Sequence, residues 1–175
     1  IVICAFFAVT GTAAATSPLH VVASFSILGD IVSNVGGDRV TVTTLVGPDS
    51  DAHAYEPTPA AAKSVRGANL VVVNGLGFEG WMDRLITASG YEGQVIVAST
   101  GIKPREMADD HGHDHGKAGD HANNEAIDPH AWQNLENGRR YVSTIAAALV
   151  SIDPEGATYY TERASAYNKQ LTDLE

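Results

Sequence analysis

The chain is almost without cysteine: among its 175 residues only Cys4 carries a thiol. Cys4 falls within Ile1–Ala15, an uncharged apolar or small-residue stretch that closes on Ala13-Ala14-Ala15 ahead of Thr16-Ser17-Pro18. These are the features of the h-region and small-residue cleavage site of a secretory signal peptide. The missing Met and basic n-region imply a chain that begins partway through that signal, an N-terminal fragment. Cleavage would leave no thiol, which excludes disulfides and thiolate metal sites. A lipoprotein anchor needs its cysteine at the cleavage point, and Cys4 lies too early. The stretch is also shorter than the roughly 20 apolar residues that span a bilayer, so no direct membrane insertion is expected. Basic charge is scarce as well, with 11 Lys and Arg against 21 Asp and Glu. That balance argues against nucleic acid and against an anionic membrane surface as partners. No HExxH or comparable zinc-hydrolase motif occurs.

What the chain has instead is clustered histidine. Five of its seven histidines lie between positions 111 and 130. Four of them, His111, His113, His115 and His121, stand in Asp109–His121 (DDHGHDHGKAGDH). Imidazole is the commonest ligand for borderline divalent metals, and carboxylates beside it raise the local cation concentration. Glycines at 112, 116 and 119 leave this segment without a frame, so it reads as a low-affinity metal-gathering loop within 107–128. A solvated low-complexity linker with no metal role is the alternative.

Patterning around that loop predicts the fold. Leu19–Phe25 and the β-branched Val40–Val46 are strands, and Ile27–Val35 between them has helical spacing with a Gly36-Gly37 stop. Thr58 caps a helix over Pro59–Arg66 that closes at Gly67. Leu70–Val73 is the continuous apolar run of a buried parallel strand. Glu79–Ala88 reads as a helix, with Glu79 favouring its N-terminus through the dipole, and Gln94–Ala98 as a fourth strand. This alternation implies an α/β fold, a Rossmann-like lobe with a parallel sheet and helices on both faces. The lobe covers residues 16–153 after the partial signal peptide of 1–15. Gly138–Ile152 is an amphipathic helix, and Asp153-Pro154 breaks it. A further helix occupies 154–175.

Ligands of open α/β sheets bind outside the carboxyl ends of the strands. His53, in GPDSDAHAYEPTP after the second strand, and His130, in DPHAWQ after the fourth, fall at such places, each stiffened by prolines. Taken singly, each also fits a surface loop histidine. Asp51, Glu56 and Asp128 fit either supporting carboxylates or turn residues. Trp81, Trp132 and Tyr55 read as packing groups around the loops, with Tyr55 or Trp132 able to shield a metal from water.

GPDSDAHAYEPTP, NGLGFEGWMDRL (74–85) and DPHAWQ together resemble the cluster A-I metal-binding proteins of ABC importers, the ZnuA/TroA-like group that includes AztC-type members. The resemblance runs from about Leu19 to Glu175. It implies two α/β lobes joined by a long helix, here the start of that helix at 154–175 with the second lobe missing. It also implies one metal between the lobes, held by His53, His130 and donors from the other lobe. A His-rich loop is typical of the zinc-type members. The expectation is therefore an exported, periplasmic, monomeric zinc-binding protein, not an enzyme, that takes Zn2+ from its surroundings or a periplasmic donor and delivers it to a membrane permease. The alternatives are a manganese-binding or adhesin-like member, with Mn2+ as the ion, and a zinc-dependent hydrolase using Glu56 or Asp128 as base.

Overall fold

A computed structural model of the chain describes residues 17–106 and 127–175. Four parallel strands form its sheet: β1 (Leu19–Phe25), β2 (Val40–Val46), β3 (Leu70–Val73) and β4 (Gln94–Val97), in the order β2-β1-β3-β4. The connecting helices are α1 (Ser26–Gly36), α2 (Pro59–Arg66) and α3 (Met82–Ser89). The chain steps from β1 one way to β2, then back across β1 to β3. Right-handed crossovers therefore set α1 on one face and α2 and α3 on the other. Two longer helices, α4 (Leu135–Ile152) and α5 (Ala157–Asp173), pack against α1 and each other, while α2 packs against α3. This is the α/β lobe with a parallel sheet, followed by a long helix, that the patterning predicts.

Local chemistry explains the boundaries. Thr58 Oγ1 accepts from the amide of Ala61, and Pro59 opens α2 where a missing N–H costs nothing. Asn134 caps α4 by accepting from Asn137, so this helix begins earlier than the apolar spacing alone suggests. Asp153-Pro154 does end α4, and a short 3-10 turn over Pro154–Gly156 precedes α5. β3 is buried along its whole length, whereas β4 lies at the sheet edge with three of its four residues exposed. The helix expected from Glu79 starts only at Met82, after a turn in which the Glu79 carbonyl accepts the Met82 amide. After β4, a two-residue antiparallel pair, β5 (Arg105–Glu106) with β6 (Ile127–Asp128), brackets the segment 107–126. The signal reading of Ile1–Ala15 and the loop histidines His111, His113, His115 and His121 lie outside the described residues.

The parallel register aligns β1 with both neighbours, Val21 opposite Val42 and Leu70. All carboxyl ends therefore open on one side. The strand order reverses between β1 and β3, and a crevice is expected there. The loops after β2, β3 and β6 converge on it.

Candidate metal centre

Two loops of the same local design carry the predicted histidines. In Asp51-Ala52-His53 the Asp51 carboxylate accepts the amide of His53 at 2.8 Å. In Asp128-Pro129-His130 the Asp128 carboxylate accepts the amide of His130 at 3.0 Å. Each is an Asx turn that aims the imidazole two residues on. The two rings meet although 77 residues separate them in sequence, with His53 Nε2 standing 3.2 Å from His130 Nε2.

His130 is also oriented for ligation. Its Nδ1 lies 2.8 Å from Asp128 Oδ1. A carboxylate there only accepts, so the proton sits on Nδ1 and the lone pair on Nε2 faces His53. Hydrogen bonds from the His130 amide, then from its ring, hold the Asp128 carboxyl below its ordinary range. His53 then donates its Nε2 proton to His130 in the absence of an ion. Coordination through Nε2 requires that proton to move to Nδ1.

The spacing fits a shared cation. Two nitrogens about 2.0–2.1 Å from one ion stand roughly 3.3–3.4 Å apart in a tetrahedron and about 2.9 Å apart at a right angle. The observed 3.2 Å lies between these values, so it suits either coordination and selects no metal. Among the described residues no group of three or more His, Cys, Asp or Glu side chains could enclose an ion. The pair supplies two donors and leaves the remaining positions to other groups.

Behind the histidines stands an aromatic wall. Phe78 packs edge-on to His53 at 4.6 Å and lies 5.6 Å from His130, while Trp132 lies 5.2 Å from His130. Phe25 closes the wall, 4.9 Å from Phe78 and 4.7 Å from Trp132. It covers the sheet side of the pair, so the imidazole edges face outward. Phe78 is set there by an unusual loop, in which Gly75, Leu76 and Gly77 all have positive φ. Glu79 holds that loop by accepting from the amides of Asn74 and Gly75 and from the Ser24 hydroxyl. Glu79 precedes α3 as expected, and its carboxylate is spent on this loop. Trp81 donates its indole N–H to the Ala52 carbonyl and meets Tyr55 edge to face, which fixes the His53 loop. Trp132 rather than Tyr55 lies against the histidine pair, and Phe78 is the aromatic that single-residue reading missed. Its only signal was its place in the NGLGFE motif. Glu56 is exposed. His20 is structural, bonded to Thr43 and the Gly67 carbonyl at the other end of the sheet.

Comparison with known proteins gives the context. The family profile for zinc-uptake complex component A, periplasmic, matches residues 21–175. The chain is 37% identical over 167 residues to the manganese-binding lipoprotein MntA of Halalkalibacterium halodurans, covering 95% of this chain and 50% of that one. It is 32% identical over 172 residues to the manganese ABC transporter substrate-binding lipoprotein PsaA of Streptococcus pneumoniae, covering 95% and 52%. A Mn-bound periplasmic metal-binding protein from Candidatus Liberibacter asiaticus superimposes with a TM-score of 0.75 at 34% identity, over 87% of this chain and 52% of that one. The chain thus spans about half the length of the relatives it matches.

These relatives overturn the zinc-type expectation and, with it, Zn2+ as the preferred ion and zinc transport as the role. The physical reason is where that expectation came from. It rested on imidazoles of the 107–128 loop, which say nothing of the donors that complete the His53–His130 pair. Transport proteins, not hydrolases, are the chain's relatives.

Proposed function

The chain belongs to the family of the periplasmic zinc-uptake complex component A, and from that premise we propose that it is the exported metal-capturing part of an ABC importer whose cargo is Mn2+. His53 and His130 are the nitrogen donors, and Asp128 keeps His130 in the ligating tautomer. The observation that carries this reading is the 3.2 Å approach of the two Nε2 atoms at the carboxyl ends of the sheet. Support for manganese comes from relatives named for that metal and from one whose structure holds it. Two nitrogens leave room for oxygen donors, which manganese favours over further imidazole or thiolate. We place those donors beyond the described residues, in a protein of the relatives' full length.

The mechanism is capture and release without a chemical step. An ion needs the lone pairs of both Nε2 atoms, and a proton bound there competes with it, so binding weakens at low pH. Release requires the two loops to separate or the other donors to withdraw, and a membrane permease with its ATPase is the partner expected to drive this. Both nitrogen donors come from one chain, so a monomer suffices.

The test joins binding to transport. His53→Ala and His130→Ala should each weaken Mn2+ binding by the intact protein at least ~100-fold, read by the electron paramagnetic resonance signal of free Mn2+. Removing the protein from its cell should deplete manganese. If zinc falls and manganese does not, the cargo assignment is wrong. If the double alanine variant binds Mn2+ like wild type, the site is elsewhere.

A further inference from the structure

The Asx turn of Asp128 orients the His130 ring, but it is internal to its loop and travels with it. Something must fix that loop to the sheet if the 3.2 Å spacing is to hold. Asn74, fully buried at the end of β3, makes such a tie, donating from Nδ2 to the Pro129 carbonyl at 2.9 Å. We infer that Asn74, held by Tyr141, is the residue that positions His130 for metal, an inference that rests on the two-histidine reading above.

Asn74 is locked in one orientation. The Tyr141 hydroxyl donates to Asn74 Oδ1 at 2.5 Å from the buried face of α4. Pro129 has no N–H and its carbonyl only accepts, so the amide nitrogen must face it. Tyr141 itself is fully buried, and burial, then the Glu79 charge, raises its pKa so far that it remains a donor. On its backbone side Asn74 gives its amide to Glu79, the residue that holds the loop carrying Phe78. One residue thus joins the His130 loop and α4 through buried bonds of its side chain, and the Phe78 loop through a part-buried bond of its backbone amide. Supporting partners of metal ligands typically cost 10–100-fold in affinity when lost.

The deciding experiment compares two deletions of equal size. Tyr141→Phe removes the bond that orients the Asn74 amide. Ser99→Ala removes a bond at 2.6 Å to the Asn74 main-chain carbonyl and leaves the amide untouched. In the intact protein, Tyr141→Phe should weaken Mn2+ binding about 10-fold and should broaden or shift the metal-free His130 imidazole 15N resonances. Ser99→Ala should lower Tm with affinity within about twofold of wild type. Asn74→Asp should lose more than Tyr141→Phe, because two oxygens then oppose each other at Pro129. Equal affinity losses in Tyr141→Phe and Ser99→Ala, scaling with Tm, would overturn the inference and leave Asn74 a packing residue. Wild-type affinity in the His53→Ala, His130→Ala protein would instead remove the site itself, a separable result.

Discussion

At the residue scale, the proposed centre depends on residues that hold the histidines in place. Asp128 spends its charge on the amide and ring of His130. Asp128→Asn keeps the shape and an acceptor for the amide but weakens the pull on the Nδ1 proton. We expect a 10–100-fold loss of Mn2+ affinity by calorimetry, with Tm almost unchanged; an unaltered affinity would show that the turn alone orients the ring. Gly75 is a second such point. Its φ is +82°, and a Cβ there would lie 2.4 Å from Val97 Cγ1. A left-handed conformation costs an L-residue about 1–2 kcal/mol, and Val97 on the sheet edge can give only partly. Gly75→Ala should therefore lower stability to urea by about 2 kcal/mol and loosen the Phe78 wall. A loss below ~0.5 kcal/mol would mean that the loop rearranges freely.

At the scale of elements, α5 is fastened to α1 and to the 3-10 turn that follows it by a seam of polar contacts. Tyr159 accepts the amide of Asp38, Arg163 donates to the Asn34 carbonyl, and Tyr167 donates to Asp30. Asp153 stands at its head, taking a bidentate pair from Arg39 at 2.8 and 2.9 Å and the Tyr160 hydroxyl at 2.6 Å. Burial would raise the Asp153 carboxyl, but hydrogen bonds from Tyr160 and Arg39 outweigh it and hold the group below its ordinary range. Burial and the same carboxylate push Tyr160 up to about 12. The sign follows for stability. A depressed folded pKa gives a contribution complete above the unfolded value of about 3.9, lost as pH falls through the folded one. Asp153→Asn should cost about 1–3 kcal/mol at neutral pH and make the acid limb of the stability curve shallower. Parallel acid limbs in the two proteins would show that packing alone holds α5.

At the scale of the molecule, the proposed pair of histidine ligands would be an incomplete coordination sphere. Two nitrogens leave a bound ion exposed to water at its other positions. The 175-residue chain should bind Mn2+ at least ~100-fold more weakly than a protein of its relatives' length. Equilibrium dialysis of both proteins checks this; equal affinity would mean that two imidazoles and water suffice. Export and the family's periplasmic setting agree with a capture role. No described helix is long and apolar enough to cross a membrane.

Much of this protein was legible in its residues. Alternation of apolar runs with helical spacing is enforced locally by backbone sterics and burial, so the four strands and their order in the chain could be read directly. His53 and His130 stood out by their place after strands on proline-stiffened loops, while the Asp-x-His turns that hold them showed only in the structure. Metal choice was misread, because imidazole counts in 107–128 report composition and not the geometry of one site. Only the tertiary structure decided that the rings meet at 3.2 Å, that Phe78 backs them and that Asn74 ties Pro129 to α4. Those contacts join residues 25, 55, 67 and 77 positions apart. They follow from crossover handedness and sheet register, which no local window of sequence contains.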